Sequence, residues 1–289
     1  MECLETLMAV CEEGGFGRAA VRLNLTPGAV SQRIAALERQ LGHPVVRRTQ
    51  PSRPTRVGEE LLGLASQTLL LQEEAWARLT DAVHAPDPRV RLSLAINADS
   101  LSTWFKPVIQ TIAAEGQLLL NLRIEDQDRT ARHLRSGLVL AAVTTDATAG
   151  PGCSSTPLGR MRYLPVCSPA IAPAPGELRD FFTRTPMLQF DSLDLLPVRF
   201  LEALGIRDVP PAHFVPSNRE FFEGIRLGLG WSVLPEGQLA EALEDDSLVL
   251  LDPDAHIDVP LHWQRWKLQS PTLDHVTRIV QRAAHQHLR

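Results

Sequence analysis

Lysine is almost missing from this chain. Of 289 residues only Lys106 and Lys267 are lysines, so nearly all positive charge is arginine. A Schiff-base lysine for pyridoxal-phosphate chemistry would have to be one of these two, and neither lies in a recognisable site. Cysteine is equally sparse. Cys3, Cys11, Cys153 and Cys167 show no C-x-x-C spacing and no paired framework, which reads as reduced thiols in a cytoplasmic protein. The longest apolar runs, such as Leu138 to Val143, are far too short to span a bilayer, so no membrane partner is expected. The first residues read as an amphipathic helix, with neither a signal h-region nor a cleavage site. Fingerprints of catalysis are also missing: no G-x-S-x-G, no G-x-x-x-x-G-K-[ST], no H-E-x-x-H and no G-x-G-x-x-G. Gly228-Leu229-Gly230 lacks the third glycine at the required spacing. His285 and His287 read as solvent-facing residues rather than metal ligands. No catalytic residue, no metal and no cofactor is therefore expected.

What is present is an uneven distribution of charge. The net formal charge is −5, but residues 1–57 hold eight arginines against five acids, so the remainder is strongly acidic. Between residues 14 and 57 the eight arginines face one acid, Glu38. Arginine suits bidentate contact with phosphate or guanine better than lysine does.

The same segment carries the pattern of a helix-turn-helix. Leu4, Leu7, Met8 and Cys11 repeat at helical spacing until Gly14-Gly15, and Phe16 to Leu23 reads as a second helix. Thr26 is a good N-cap and Pro27 a good first helical residue. Val30, Ile34, Leu37 and Leu41 then make the buried stripe of a third helix that Gly42 stops. Pro44 to Thr49 and Arg53 to Arg56 read as the two short strands of a wing. In such a motif the second helix of the pair enters the major groove of double-stranded DNA. Thr26, Pro27, Gly28, Ser31 and Gln32 are then expected on the reading face, with Arg33, Arg48, Arg53 and Thr55 about the phosphates and the adjacent minor groove. Gln32 suits adenine N6/N7, and Pro27 with Gly28 suits a thymine methyl. The competing reading is a helical hairpin used for protein contact.

From Gly58 to about Val83 one long helix is expected. Leu62, Ala65, Leu69, Gln72, Trp76 and Leu79 form a seam suited to self-pairing, with packing inside its own domain as the alternative. His84 to Pro88 marks a linker. Beyond it, strands alternate with helices: strands at Val90–Ile96, Leu118–Ile124 and Leu138–Val143, and helices from Ser100 to about Ala114 and from Arg129 to Ser136. This is the rhythm of a parallel sheet covered on both faces. A second α/β set follows, with strands at Met187–Phe190, Phe214–Val215 and Trp231–Leu234. A return strand at Pro260–Trp266 and a closing helix from Leu273 to Leu288 complete it. The expected fold class is α/β, with a winged helix-turn-helix at 1–57, a dimerising linker helix at 58–84 and a hinge at 85–89. A two-lobed α/β domain with a cleft between its lobes comes last, lobe I being 90–163 plus 266–289 and lobe II 164–265.

Phe16, Ala19-Ala20, Leu23, Thr26-Pro27, Ala29-Val30-Ser31, Ile34, Leu37-Glu38, Leu41-Gly42, Arg48, Thr55 and Gly58 together resemble the LysR-type transcriptional regulators. The likeness runs on through Ile96 to Phe105, Arg123 to Asp126, Gly228 to Trp231, Leu234 to Glu236 and Trp263 to Trp266, which look like the basic-amino-acid-responsive branch of that family. The resemblance implies a winged helix-turn-helix, a linker helix that pairs two chains, and a two-lobed effector domain similar to periplasmic binding proteins. It also implies a homodimer or a homotetramer built as a dimer of dimers, and transcriptional activation of an amino-acid exporter or related gene, with RNA polymerase as a further partner. Gly28 departs from the serine frequent in the family, which puts one hydroxyl contact to phosphate in doubt.

The small-molecule effector so implied is L-lysine, L-arginine or L-histidine. Such a ligand needs donors for its carboxylate, acids for its cations and an apolar wall. Ligands of α/β sheets sit at the carboxyl ends of strands, where this chain has Asp99-Ser100, Glu125-Asp126 and Thr144-Thr145-Asp146. Ser100 and Thr103 are expected to receive the carboxylate and Trp104 to form the wall. Asp99, Glu125 or Asp126 would answer the cations, Thr144 would line the site, and Asp191 with Ser217 or Asn218 would close over the ligand. Asp99 as an ordinary helix N-cap is the competing reading. The alternative function is an architectural or replication-origin DNA-binding protein without ligand control.

Overall fold

The structure, a computed structural model, describes residues 2–83, 89–124, 134 and 136–289. The predicted helix at Arg129–Ser136 and most of the predicted hinge lie outside them. The head comprises α1 (Glu2–Glu13), α2 (Phe16–Arg22), α3 (Pro27–Leu41), β1 (Val46–Arg47) and β2 (Arg53–Pro54), and it leads into α4 (Arg56–Val83). The effector region runs β3 (Val90–Ile96), α5 (Ala98–Ser102), α6 (Lys106–Glu115), β4 (Leu118–Ile124), β5 (Ala141–Thr144) and β6 (Cys153–Cys167). It continues α7 (Leu178–Arg184), β7 (Met187–Gln189), α8 (Leu196–Ala203), β8 (Ala212–Phe214), α9 (Asn218–Arg226) and β9 (Ser232–Pro235). It ends α10 (Ala240–Glu244), β10 (Val249–Leu250), β11 (Ile257–Trp266) and α11 (Pro271–His287).

These elements form two compact units. One contains Met1–Asn97, Pro107–Pro157 and Leu261–Ala283; the other contains Ala98–Lys106, Leu158–Pro260 and Ala284–Arg289. The chain changes unit inside β6 and β11, and Ala98–Lys106 belongs to the second unit although its neighbours in sequence belong to the first.

In the first unit the head has a single core of Leu7, Val10, Ala19, Ala20, Val30, Ile34, Leu37 and Val45, which takes in Leu62 from α4. Asn24, with φ of 53°, turns the chain between α2 and α3. The helix α3 is capped by Thr26, whose side chain accepts the Ala29 N–H, and stopped by Gly42 in the left-handed region. The wing is shorter than predicted, only Val46↔Pro54 and Arg47↔Arg53 being paired. Gly58 is required where α4 leaves it, because a Cβ there would lie 2.0 Å from the Val45 carbonyl oxygen.

The predicted seam on α4 divides. Of the seam residues Leu62 and Ala65 are fully buried within the chain, Leu69 is half-buried, and Gln72, Trp76 and Leu79 are exposed, with Leu64 and Leu71 also exposed on this helix. Gly63 explains part of the inward packing, since it meets Gly137 backbone to backbone. Glu74, buried, then accepts the hydroxyl of Ser270 and the Thr272 N–H at the start of α11. The strands of this unit run β11–β5–β3–β4, with β4 and β5 parallel to β3 and β11 antiparallel to β5. Predicted Val90–Ile96 and Leu118–Ile124 are observed with those bounds. Predicted Leu138–Val143 becomes Ala141–Thr144. The predicted single helix from Ser100 divides into α5 and α6 around Thr103–Phe105.

In the second unit β9 and β10 both pair antiparallel with β6, and β7 and β8 form a parallel pair. Phe182, Phe200 and Trp231 pack edge to face at its centre. A bidentate ion pair at 2.8 and 2.9 Å joins Arg162 on β6 to Asp258 on β11 and holds the Asp258 carboxyl below its usual range. Among the described residues no helix is long and apolar enough to cross a membrane.

Candidate functional site

At the start of α3, Thr26, Pro27, Gly28 and Gln32 are exposed and Ser31 is half-buried. Thr26 accepts the Ala29 N–H at 3.2 Å, which leaves its own hydroxyl proton to donate outward. Nothing but the Thr26 hydroxyl stands within 4 Å of where a Cβ of Gly28 would be, so glycine is not enforced by packing there. Arg33 is engaged with Glu2 at 2.7 Å, Arg48 lies over the Phe16 ring at 5.3 Å, and Arg53 is exposed on the wing.

Sequence reasoning passed over Arg47, which is exposed and directly opposite Arg53 in the antiparallel wing. Like charges across a strand pair repel, and an anion lying against the wing would relieve that cost. Thr55 is engaged differently: its hydroxyl donates to the Pro44 carbonyl at 2.7 Å and accepts the Gly58 N–H. It ties the wing to α4 rather than pointing outward.

In the second unit, α5 and the turn after it bring four of the expected effector residues together. Asp99 is half-buried as a residue, but its carboxyl is densely surrounded by protein and accepts the hydroxyl of Tyr163 at 2.8 Å. Burial pushes its pKa from 3.8 up to about 6. The Tyr163 hydrogen bond opposes that shift and the nearby Asp194 carboxyl adds to it. Ser100 Oγ and Trp104 Nε1 are buried with no hydrogen-bond partner among the described residues. Two orphaned polar atoms in the segment that carries Asp99 are what a polar ligand would satisfy.

The other expected residues divide. Thr103 donates its hydroxyl to the Asp99 carbonyl, so its single donor is not available to a carboxylate. Trp104 lies almost wholly in the core with Phe105, ring centroids 5.6 Å apart, and offers its indole N–H rather than a broad wall. Asp191 accepts the Leu193 and Asp194 N–H groups and organises its own loop. Ser217 stands at the N-cap position of α9 without a side-chain cap bond and donates its hydroxyl to Glu220, and Asn218 is exposed. Thr144 belongs to the first unit, where it is buried and accepts the Asp146 N–H at 3.1 Å. Glu125 and Asp126 lie outside the described residues. The sequence reading did not find Tyr163 and Asp194, which stand 64 and 95 positions from Asp99; a strand tyrosine and a loop acid carry no local motif.

The first unit has a cavity of about 310 Å³ lined by α1, α4 and β3. In it Glu12 bonds Arg22 and lies 3.7 Å from Arg123, and Glu73 accepts the Arg91 backbone N–H at 2.6 Å.

Residues 1–59 match the lysR family of bacterial regulatory helix-turn-helix proteins, and residues 85–285 match the LysR substrate binding domain. The chain belongs to the LysR family: it is a DNA-binding transcriptional regulator, not an enzyme. Among its relatives, the transcriptional regulator LysG of Mycobacterium tuberculosis is 44% identical over 287 residues, covering 97% of this chain and 92% of the relative. The crystal structure of ArgP from Mycobacterium tuberculosis is similar with a TM-score of 0.81 at 43% identity, covering 100% of this chain and 98% of that one. Full-length LysG of Corynebacterium glutamicum with bound effector Arg has a TM-score of 0.73 at 40% identity, covering 99% and 98%.

Proposed function

We propose that this regulator responds to a basic amino acid, with Asp99 as the acid that receives the ligand's cation. The observation that carries this reading is the buried Asp99 carboxyl, which accepts the Tyr163 hydroxyl, in the same segment as Ser100 Oγ and Trp104 Nε1, which have no hydrogen-bond partner among the described residues. The arginine held by the Corynebacterium glutamicum relative supports the same ligand class. Arginine, lysine and histidine each supply an α-carboxylate for the Ser100 hydroxyl and Trp104 N–H and a cation for Asp99. In the head, Pro27, Gly28, Ser31 and Gln32 read base edges, while Arg33, Arg47, Arg48 and Arg53 neutralise phosphates. Two chains pair along the exposed Leu64, Leu71, Trp76 and Leu79 of α4. Domain limits of 1–57, 58–84 and 90–289 follow from these roles. Effector and DNA affinities are then linked by a coupling free energy of about 1–3 kcal/mol, the same in both directions. Activation of an amino-acid exporter gene through contact with RNA polymerase is the regulatory outcome.

A thermal-shift scan over the twenty amino acids tests the ligand class. The expected result is a rise confined to arginine, lysine or histidine, and an equal rise with neutral amino acids would refute it. Replacing Asp99 by Asn is expected to weaken the binding of the active amino acid at least tenfold in calorimetry while leaving basal DNA affinity within about twofold.

A further inference from the structure

Two side chains remote in sequence bear on the Asp99 carboxyl. Tyr163 on β6 donates its hydroxyl to Asp99 Oδ2 at 2.8 Å, which leaves Oδ1 outside that bond. Asp194, in the turn before α8, acts on the same carboxyl through its charge. Asp194 cannot swing away, because its two carboxyl oxygens accept the Phe190 and Leu196 N–H groups at 3.0 and 3.1 Å and its carbonyl accepts the Gln189 amide. Asp191 and Arg199 act in turn on Asp194. Among the described residues, no cation is one of the groups that act on Asp99. The Asp99 carboxyl thus sits in a poorly solvated place with Tyr163 as its hydrogen-bond donor, whereas Asp194 has Arg199 acting on it; Ser100 Oγ in α5 and Trp104 Nε1 in the turn after it have no hydrogen-bond partner among the described residues.

We infer that Tyr163 is a positioning residue for the effector and that Asp194 is a determinant of its preference for a cation. The hydroxyl fixes Asp99 by one oxygen so that the other receives an N–H of a guanidinium or ammonium group. Burial raises the Asp194 pKa as well, and in its charged form Asp194 adds to the cost of filling the place with a neutral group. This inference rests on the basic-amino-acid reading above and adds to it two residues and a direction for each. Removing the Tyr163 hydroxyl takes away a bond that favours the charged Asp99, so ligand binding is lost at a higher pH than in the parent. Removing the Asp194 charge takes away repulsion, so binding persists to a lower pH.

Calorimetric titration of the full chain with L-arginine and with its uncharged isostere L-citrulline, from pH 5 to 8, tests this. In the parent, arginine affinity is expected to fall about tenfold per pH unit below the Asp99 midpoint near 6. Tyr163→Phe is expected to move that midpoint up and Asp194→Asn to move it down, and Asp194→Asn also to narrow the preference for arginine over citrulline several-fold. If Tyr163 acts through Asp99, adding Tyr163→Phe to Asp99→Asn changes affinity less than twofold. Unmoved midpoints in both variants, or an equal loss from Tyr163→Phe with and without Asp99, would overturn the inference and leave the ligand class standing. No arginine, lysine or histidine binding by the parent would overturn both. Should Tyr163→Phe not fold, judged by circular dichroism, the direction of the Asp194→Asn shift decides.

Discussion

On α3 the groups that would meet a ligand stand in solvent: Thr26, Pro27, Gly28 and Gln32 are exposed, and their positions follow from one capped helix. Around Asp99 the corresponding groups are withdrawn from water, and three segments far apart in sequence assemble them. The first arrangement suits a large polyanion that brings its own charge and is read by surface contact, and it costs the free protein little. The second suits a small cation that must be desolvated to be recognised, with a buried carboxyl and two donors unpartnered among the described residues. One surface is ready-made, whereas the other, on the proposed reading, is completed by its ligand.

The largest expected effect lies at the joint between wing and linker helix. Gly58→Ala places a Cβ 2.0 Å from the Val45 carbonyl oxygen, a backbone atom that cannot give way without moving the wing. A loss of about 2–4 kcal/mol in chemical denaturation is expected, together with loss of DNA binding. If Gly58→Ala binds DNA like the parent, the head is not the ready-made surface described here.

Asp99→Asn sharpens the contrast from the other side. The Asp99 pKa is raised from 3.8 to about 6 in the folded chain, so between those values the native state holds a proton that the unfolded state has lost. Its stabilising contribution is therefore present below about pH 4 and lost as pH rises through 6. Without ligand, Asp99→Asn is expected to raise the melting temperature above pH 6 relative to the parent, and arginine to raise the parent's more than the variant's. Melting curves from pH 4 to 8 that coincide for the two proteins would dissolve the contrast.

A smaller effect is expected on the wing. Arg53→Ala should reduce the slope of log K against log salt by about one, with little change in sequence preference. Because Arg47 stands opposite and loses a like-charged neighbour, the variant's unliganded stability should be unchanged or slightly higher. A full salt slope in filter-binding titrations would remove Arg53 from the phosphate contacts. The smallest change is expected for Gly28→Ser, which has open space and restores a hydroxyl at the first turn of α3; DNA affinity should rise by about threefold or less, a gain below 1 kcal/mol.

The sequence by itself determined the helix-turn-helix, because Thr26, Pro27, the Val30–Ile34–Leu37 stripe and Gly42 are local signals that act within a few residues of one another. It likewise determined the parallel pairs made by Val90–Ile96, since alternation and an apolar run need no distant partner to be recognised. It also pointed to Asp99, through its place at a strand-to-helix junction. Only the tertiary structure decided that Tyr163 and Asp194, not Asp191, bear on that carboxyl, and that Thr103 and Thr55 spend their hydroxyls on the backbone. It alone divided the α4 stripe into an inner face at Leu62 and Ala65 and an outer face at Leu64, Leu71, Trp76 and Leu79. The physical reason is range. Capping and periodicity are set by neighbours along the chain, whereas desolvation, charge repulsion and the choice of hydrogen-bond partner depend on what the rest of the fold brings alongside.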